Sequence, residues 1–254
     1  MNAEHQSTTS VDLSIVIPSW NEAHRLPATL KRIHAFQKFI GTALEVIVAD
    51  DGSSDDTCRA ALSACRGLQV KVLSAGGRRG PGHAVKRGVL AAKGHYILIS
   101  DADGPVPFED TMILWDALRA GADFAAGSRV IDPRSVLQAQ PYHRIIMGKV
   151  WRRVTQAIVP TGIQDTQCGF KLMKRQCARS VFEALESNGF GFHVEALFLA
   201  HQQGFKVEEH PVRWKDVGGS KVNLIKDPVV MLGEIVKIAA RAKWPVRRAS
   251  EFNQ

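Results

Sequence analysis

Short apolar runs that end in polar residues alternate with helical patterns through the first half of this chain, and that alternation allows few folds. Leu13 to Pro18 runs into Ser19-Trp20-Asn21-Glu22, Glu45 to Ala49 into Asp50-Asp51-Gly52-Ser53, and Tyr96 to Ile99 into Asp101-Ala102-Asp103-Gly104. Between these runs, Leu26, Leu30, Ile33 and Ile40 fall near helical spacing, as do Cys58, Ala61, Leu62 and Cys65, and then Ala84, Val85, Gly88, Val89 and Ala92. Gln69 to Ser74 alternates as a further strand. Pro107 opens a helix with Met112, Trp115 and Leu118 inward, and Phe124-Ala125-Ala126 leads to Gly127-Ser128-Arg129. Strict strand-helix alternation predicts a mostly parallel sheet covered by helices on both faces. Ligands of such sheets collect beyond the carboxyl ends of the strands, so the polar endings are expected to face one crevice.

Beyond Ala126 the pattern changes. A polar loop from Asp132 to Pro141 precedes a helix carrying Ile146, Val150, Val154 and Ile158. Gln167 to Met173 and Phe205 to Val212 read as strands, Gln176 to Leu185 and Val194 to His201 as helices. Leu224 to Ala242 places Val229, Leu232, Val236 and Ala239 on one face, with Lys226, Lys237, Arg241 and Lys243 nearby, and ends in Trp244-Pro245-Val246-Arg247-Arg248. Two readings of this amphipathic helix stand side by side: a membrane-surface anchor, or a helix packed on the domain with a solvated basic tail. The expected layout is a disordered N-terminus over 1–11, one domain over 12–223 whose halves meet at 129/130, and the amphipathic basic helix and tail over 224–254.

A net charge of +8 and a pI of about 9.5 point to an anionic partner, or to a basic surface kept for solubility. Nucleic acid is an unpromising partner, because no motif for reading it is visible and the aromatics are few and scattered. Cys58, Cys65, Cys168 and Cys177 have no metal-finger spacing and are expected to be small core residues in a reducing compartment. Met1 to Val11 does not read as a signal peptide, and no apolar stretch reaches the roughly 18 residues that crossing a bilayer requires. Asp101 and Asp103, two residues apart after an apolar strand, form a pair able to hold a divalent metal.

These stretches, in order and spacing, resemble family 2 glycosyltransferases of the GT-A fold. The resemblance rests on Val16-Ile17-Pro18 with Asn21-Glu22, Asp50-Asp51-Gly52-Ser53 with Asp55 and Thr57, Asp101-Ala102-Asp103-Gly104 and Gly127-Ser128-Arg129. Asp165-Thr166-Gln167-Cys168-Gly169-Phe170-Lys171 and Trp214 through Val222 are similar to the branch that makes dolichyl-phosphate β-glucose, with dolichyl-phosphate mannose synthases as relatives. Pro105 stands where mannose synthases often carry Gln, a departure toward the glucosyl branch.

The resemblance implies a Rossmann-like GT-A sheet and a set of site residues. Pro18, Asn21, Glu22, Asp50, Asp51, Gly77, Arg79, Asp101 and Ala102 would bind the nucleotide-diphosphate sugar. Asp101 and Asp103 would hold Mg²⁺ or Mn²⁺ against its diphosphate. Asp103, Asp165 and Arg129 would be catalytic, with Asp165 the one candidate base, and Arg129, Arg144 and Lys221 would meet an acceptor phosphate. Gly76 to Gly82 precedes a helix and offers amides and guanidinium groups to phosphate. His193 stands where the family usually has Asp, and is expected to be a core or capping histidine. Glu195 keeps an acceptor-side or a structural role.

The implied activity is inverting transfer of glucose from UDP-glucose to dolichyl or polyprenyl monophosphate, peripheral on a cytoplasmic membrane face. GDP-mannose as donor and a non-lipid acceptor remain open alternatives. A sugar-phosphate nucleotidyltransferase fits less well, because Pro18-Ser19-Trp20-Asn21 lacks a glycine-rich loop after the first strand.

Overall fold

A computed structural model describes residues 11–64, 67–138, 142–217 and 226–241 of the protein. The expected disordered start up to residue 10, Cys65, Lys221 and the Trp244 to Arg248 tail lie outside the described residues, as does the side chain of Arg144.

Strands β1 (Leu13–Ser19), β2 (Leu44–Asp50), β3 (Gln69–Ser74) and β4 (Tyr96–Ile99) are linked by helices α1 (Leu26–Ile40), α2 (Thr57–Ser63) and α3 (Pro81–Ala91). Next come α4 (Thr111–Arg119), β5 (Phe124–Ser128), a short β6 (Val136–Gln138), α5 (Tyr142–Ile158) and β7 (Lys171–Lys174). The chain then forms α6 (Arg175–Ala184), α7 (Phe192–Gln202), β8 (Val207–Pro211), β9 (Trp214–Lys215) and α8 (Lys226–Arg241). The main sheet has seven strands in the order β3-β2-β1-β4-β7-β5-β8, and β6 pairs with β9 in a small ribbon. All pairings in the main sheet are parallel except those of β7, which runs antiparallel between β4 and β5.

Because helices cover both faces of the sheet, β1 and β2 are apolar on both faces and nearly wholly buried. Leu26, Leu30, Ile33 and Phe36 of α1 pack with Leu114 and Trp115 of α4 on one side. Val85 and Val89 of α3 pack with Val181, Phe182 and Leu197 of α6 and α7 on the other. Helix α1 stops at Gly41, whose left-handed φ of 62° lets its N–H reach the Gln37 carbonyl.

The structure amends several expected boundaries. Pro107 precedes a 3₁₀ turn over Phe108–Asp110 before α4 begins, and Leu114 takes the inward place given to Met112. The strand expected over 167–173 shrinks to β7, and residues 165–170 become a loop beside the crevice. In α2 the buried side chains are Thr57 and Ala61, while Cys58 is half-buried and Leu62 is 65% exposed. The helix is too short and too close to the sheet edge to cover more. Cys168 and Cys177 are buried as expected.

The residues on either side of 129/130 share one sheet, because β7 from the second half fills the gap between β4 and β5. Helix α8 is apolar on two faces. Ile235 and Ile238 pack against Val194 and Phe198 of α7; of the apolar face read from the sequence, Ala239 joins that packing, whereas Val229, Leu232 and Val236 are 70%, 40% and 51% exposed.

Candidate active site

The acidic turn after β4 is fixed from beneath by α1. Ser100 N–H donates to the Val16 carbonyl, and Gly104 N–H closes the turn on the Asp101 carbonyl, both at 3.0 Å. The Thr29 hydroxyl donates to the Ala102 carbonyl at 2.8 Å, and Arg32 donates to the carbonyls of Gly104 at 2.7 Å and Asp103 at 2.9 Å. Across the turn lies Gly169, where any Cβ would overlap the Asp101 carboxylate. Glycine in the Cys168-Gly169-Phe170 stretch is therefore a condition for that carboxylate to sit where it does.

Burial, then the neighbouring Asp103, pushes the Asp101 carboxyl up to about 6. Asp103 is also raised, by burial first, although Arg25 opposes the shift. The Arg25 guanidinium bridges Glu22, at 2.6 Å, and Asp103, at 3.3 Å. Two carboxylates crowded in a half-buried site, with no hydrogen bond donated to the side chain of Asp101 among the described residues, suit a hard divalent cation. The described residues supply no third His, Cys, Asp or Glu to complete a protein cage. Mg²⁺ and Mn²⁺ accept such a site when phosphate oxygens and water fill the remaining positions.

Arg129 leaves the end of β5 and is clamped by Asp165. Its Nε and a terminal nitrogen donate to the two carboxylate oxygens at 2.7 and 2.8 Å, and its backbone N–H adds a third bond at 3.0 Å. Burial alone would raise the Asp165 carboxyl, but Arg129 outweighs it and holds the group below its ordinary range. A carboxylate so engaged is a poor proton acceptor, so the geometry gives Asp165 the task of holding Arg129 rather than that of a base. The other side of the guanidinium faces the ring of Trp214 at 5.6 Å.

These groups open onto one cleft of about 390 Å³, which Pro18, Glu22, Asp51, Asp101, Ala102, Asp103 and Arg129 all line. Four other residues expected to bind nucleotide stand behind or outside it. Asp50 is 1% exposed and accepts from the amides of Gly52 and Ser53 and the Ser74 hydroxyl, which makes it a turn former. Asn21, at a positive φ of 54°, accepts from the Ser54 amide and so ties the β1 loop to the β2 loop. Gly77 lies against Gly52, where a Cβ would strike the Gly77 backbone, and Arg79 offers its amide to Asp51 while its side chain is exposed. Arg78 takes the place expected for Arg79: its guanidinium stacks on the Trp20 ring at 3.6 Å, and both line the cleft.

Arg25 and Trp20 carry no site role in the sequence reading, whereas Arg78 enters it as one of the two guanidinium groups of Gly76 to Gly82 offered to phosphate. Arg25 carries one usable signal, its position one helical turn after Glu22. At the other end, Phe190, Phe192, His193 and Asp216 join the lining. The loop before α7 that carries Phe190 is held from two sides. Glu195 accepts from Ser187 N–H at 2.7 Å and pairs with Arg241 of α8 at 3.0 Å, while Glu234 of α8 accepts from Gly189 and Gly191 N–H at 2.8 and 2.9 Å. Glu195 is thus structural.

The sequence profile described as Glycosyl transferase family 2 matches residues 14–182. A Drosophila melanogaster protein named dolichyl-phosphate beta-glucosyltransferase is 36% identical over 231 residues, covering 85% of this chain and 71% of its own. A Saccharomyces cerevisiae protein of the same name is 33% identical over 255 residues, covering 92% and 76%. Among solved structures, glucosyl-3-phosphoglycerate synthase from Mycobacterium tuberculosis, in complex with Mn²⁺, UDP and glucosyl-3-phosphoglycerate, superposes with a TM-score of 0.68. It is 18% identical, and the match covers 91% of this chain and 79% of that one, a likeness of fold. With a family profile spanning most of its length and relatives this similar on both sides, the chain belongs to glycosyl transferase family 2, the glycosyltransferases its acidic strand ends resemble.

Proposed function

We propose that this chain moves glucose from UDP-glucose to a dolichyl or polyprenyl monophosphate with inversion, using Mg²⁺ or Mn²⁺. The observation that carries the reading is the order of groups along one cleft: Trp20, Asp51 and Arg78 after β1, β2 and β3, Asp101 and Asp103 at the β4 end, and Arg129 at the β5 end. That order matches base and ribose, then diphosphate, then the phosphate of an acceptor. The names of the relatives at 33–36% identity support the same donor sugar and acceptor class.

Asp101 and Asp103 would hold the cation, whose chemistry is that of a Lewis acid on the departing nucleotide diphosphate. A lipid monophosphate has its second pKa near 6, so at neutral pH it is largely dianionic and needs no base to attack. It needs a cation to hold it, and Arg129, its donors pre-aligned by Asp165, fits that task. Attack by a phosphate held at Arg129 on a donor held at Asp101 and Asp103 would be a single in-line displacement, which inverts the anomeric centre. Lys221 and Arg144 remain candidates for the same phosphate.

We place the protein peripherally on a membrane face. No helix among the described residues is long and apolar enough to cross a membrane. Val229, Leu232 and Val236 of α8 and Ile146, Met147 and Val150 of α5 are exposed apolar side chains on two helices that touch each other. Fully burying one such side chain is worth about 1.5–3 kcal/mol, so several together suffice for reversible docking.

The test is transfer of label from radiolabelled UDP-glucose or GDP-mannose, with Mn²⁺ and a short polyprenyl phosphate, into an organic extract. Label from UDP-glucose is the expected result. Label from GDP-mannose alone moves the reading to a mannosyltransferase. Transfer only to water-soluble acceptors removes the lipid.

A further inference from the structure

Behind the cleft-lining His193 lies a buried cation, Lys171. Lys171 of β7 is 1% exposed, stands opposite Ile99 of β4 in the register, and so lies one strand past the acidic turn. Its Nζ donates to the carbonyls of Thr166, at 3.1 Å, and Cys168, and lies 3.3 Å from Nδ1 of His193. An ammonium has three donors and no acceptor. Two are committed to carbonyls, so the third meets the imidazole, and Nδ1 must be the nitrogen without a proton. The imidazole proton then sits on Nε2, the ring's one remaining polar atom.

Three further features fix the ring. His193 is 6% exposed, lines the cleft, and lies against the Phe192 ring with centroids 3.9 Å apart. Burial, and then Lys171 and Arg129, hold the imidazole far below its ordinary titration range, so it stays neutral. Asp101 and Asp165 counter the burial that lowers the Lys171 ammonium. The result is a neutral N–H donor of fixed tautomer between the metal-holding turn and Arg129. In a nucleotide-diphosphate sugar, the group that follows the diphosphate is the hexose.

We propose that His193, locked as the Nε2–H tautomer by Lys171, donates a hydrogen bond to a hydroxyl of the transferred sugar and so sets the affinity for the sugar half of the donor. This rests on the nucleotide-sugar reading above and adds a residue to it. A neutral donor suits a hydroxyl, whereas the cationic groups of the cleft suit phosphate.

The test compares UDP with UDP-glucose by titration calorimetry in Mn²⁺, for the full chain and for His193→Phe and His193→Gln. Phe keeps the ring packing without the donor, and Gln restores a donor at similar reach. His193→Phe should weaken UDP-glucose about three- to tenfold, the usual net worth of one hydrogen bond, and leave UDP and the acceptor KM unchanged; Gln should recover part of the loss. Long-range ¹H–¹⁵N spectra, with the His193 signal assigned by its absence from the Gln variant, should show the proton on Nε2. Equal losses for UDP and UDP-glucose, a change only in acceptor KM, or an Nδ1–H tautomer would overturn the proposal. Wild-type protein that binds UDP-glucose with an affinity ratio unmoved by Phe overturns this inference alone, and wild-type protein that binds neither ligand overturns the donor reading with it.

Discussion

Replacing Asp101 by Asn tests whether the acidic turn is held against its own electrostatics. In the folded protein the Asp101 carboxyl titrates at about 6, against an ordinary value of 3.8. A raised acid binds its proton more tightly folded than unfolded, so stability falls as pH rises between those two values and is lowest above 6. At 1.36 kcal/mol per pH unit the full cost at pH 7.5 is about 3 kcal/mol. That is a ceiling, because the carboxylate faces the cleft and keeps some water. Asp101→Asn removes the charge with little change of shape, so in EDTA the variant is expected to be about 1–3 kcal/mol more stable than wild type at pH 7.5. At pH 4.5, where the wild-type carboxyl is largely protonated, the same arithmetic leaves a gain of at most about 1 kcal/mol. Mn²⁺ with UDP should stabilise wild type and leave the variant unmoved. Urea denaturation at both pH values, with and without Mn²⁺ and UDP, reads all of these. A variant less stable than wild type at pH 7.5 in EDTA, or a gain equal at the two pH values, would refute the reasoning.

Other perturbations separate the remaining parts. Asp165→Asn leaves the Arg129 guanidinium, 27% exposed, with a weaker partner and should cost about 3 kcal/mol by urea denaturation, the low end for breaking a buried pair. Because Arg129 holds that carboxyl below 3.8, the contribution is present above that pH and lost as pH falls through the lowered value, so wild type and variant should converge in acid. Trp20→Ala should weaken UDP about tenfold in calorimetry, at the low end of what base stacking on an aromatic ring is worth; an unchanged affinity removes Trp20 from the base site. Glu234→Ala should raise the acceptor KM several-fold with a smaller change in UDP affinity, since it frees the amides of Gly189 and Gly191 directly and reaches the turn beside Asp51 only through the Asn188 carbonyl. Val229→Glu with Val236→Glu should abolish sedimentation with anionic vesicles at unchanged melting temperature, and retained sedimentation refutes docking through α8.

The first half of the chain was legible because its signals are local. Apolar runs with a polar stop give β1, β2 and β4, and the turn after β4 places Asp101 and Asp103 at the cleft, although the supports of that turn, Thr29, Arg32 and Gly169, are distant in sequence. Acidic residues after a strand do not declare their direction in the same way. Asp50 and Asp51 are neighbours in sequence, yet the first turns back to cap Gly52 and Ser53 while the second lines the cleft. Arg78 and Arg79 divide likewise. The helix period of α8 was legible, but its inner face was not, because two apolar stripes compete and α7 decides between them. The place of β7 depends on long-range pairing with β4 and β5, which no window of sequence contains.

That same α8 links two readings that sequence kept apart. One face packs on α7 through Ile235 and Ile238, and its Glu234 and Arg241 hold the loop before α7 and the buried Glu195. A second apolar stripe, with Val229, Leu232 and Val236, is exposed. The loop also abuts the glycine turn before α3, where Gly82 N–H donates to the Asn188 carbonyl at 2.8 Å and a Cβ at Gly80 would strike that oxygen. The element that would meet lipid is therefore one hydrogen bond from the loop carrying Phe190, and that loop is one hydrogen bond from the turn beside Asp51. Truncation before α8 should then impair transfer even to a water-soluble acceptor, whereas an anchor that only docked would leave such transfer intact.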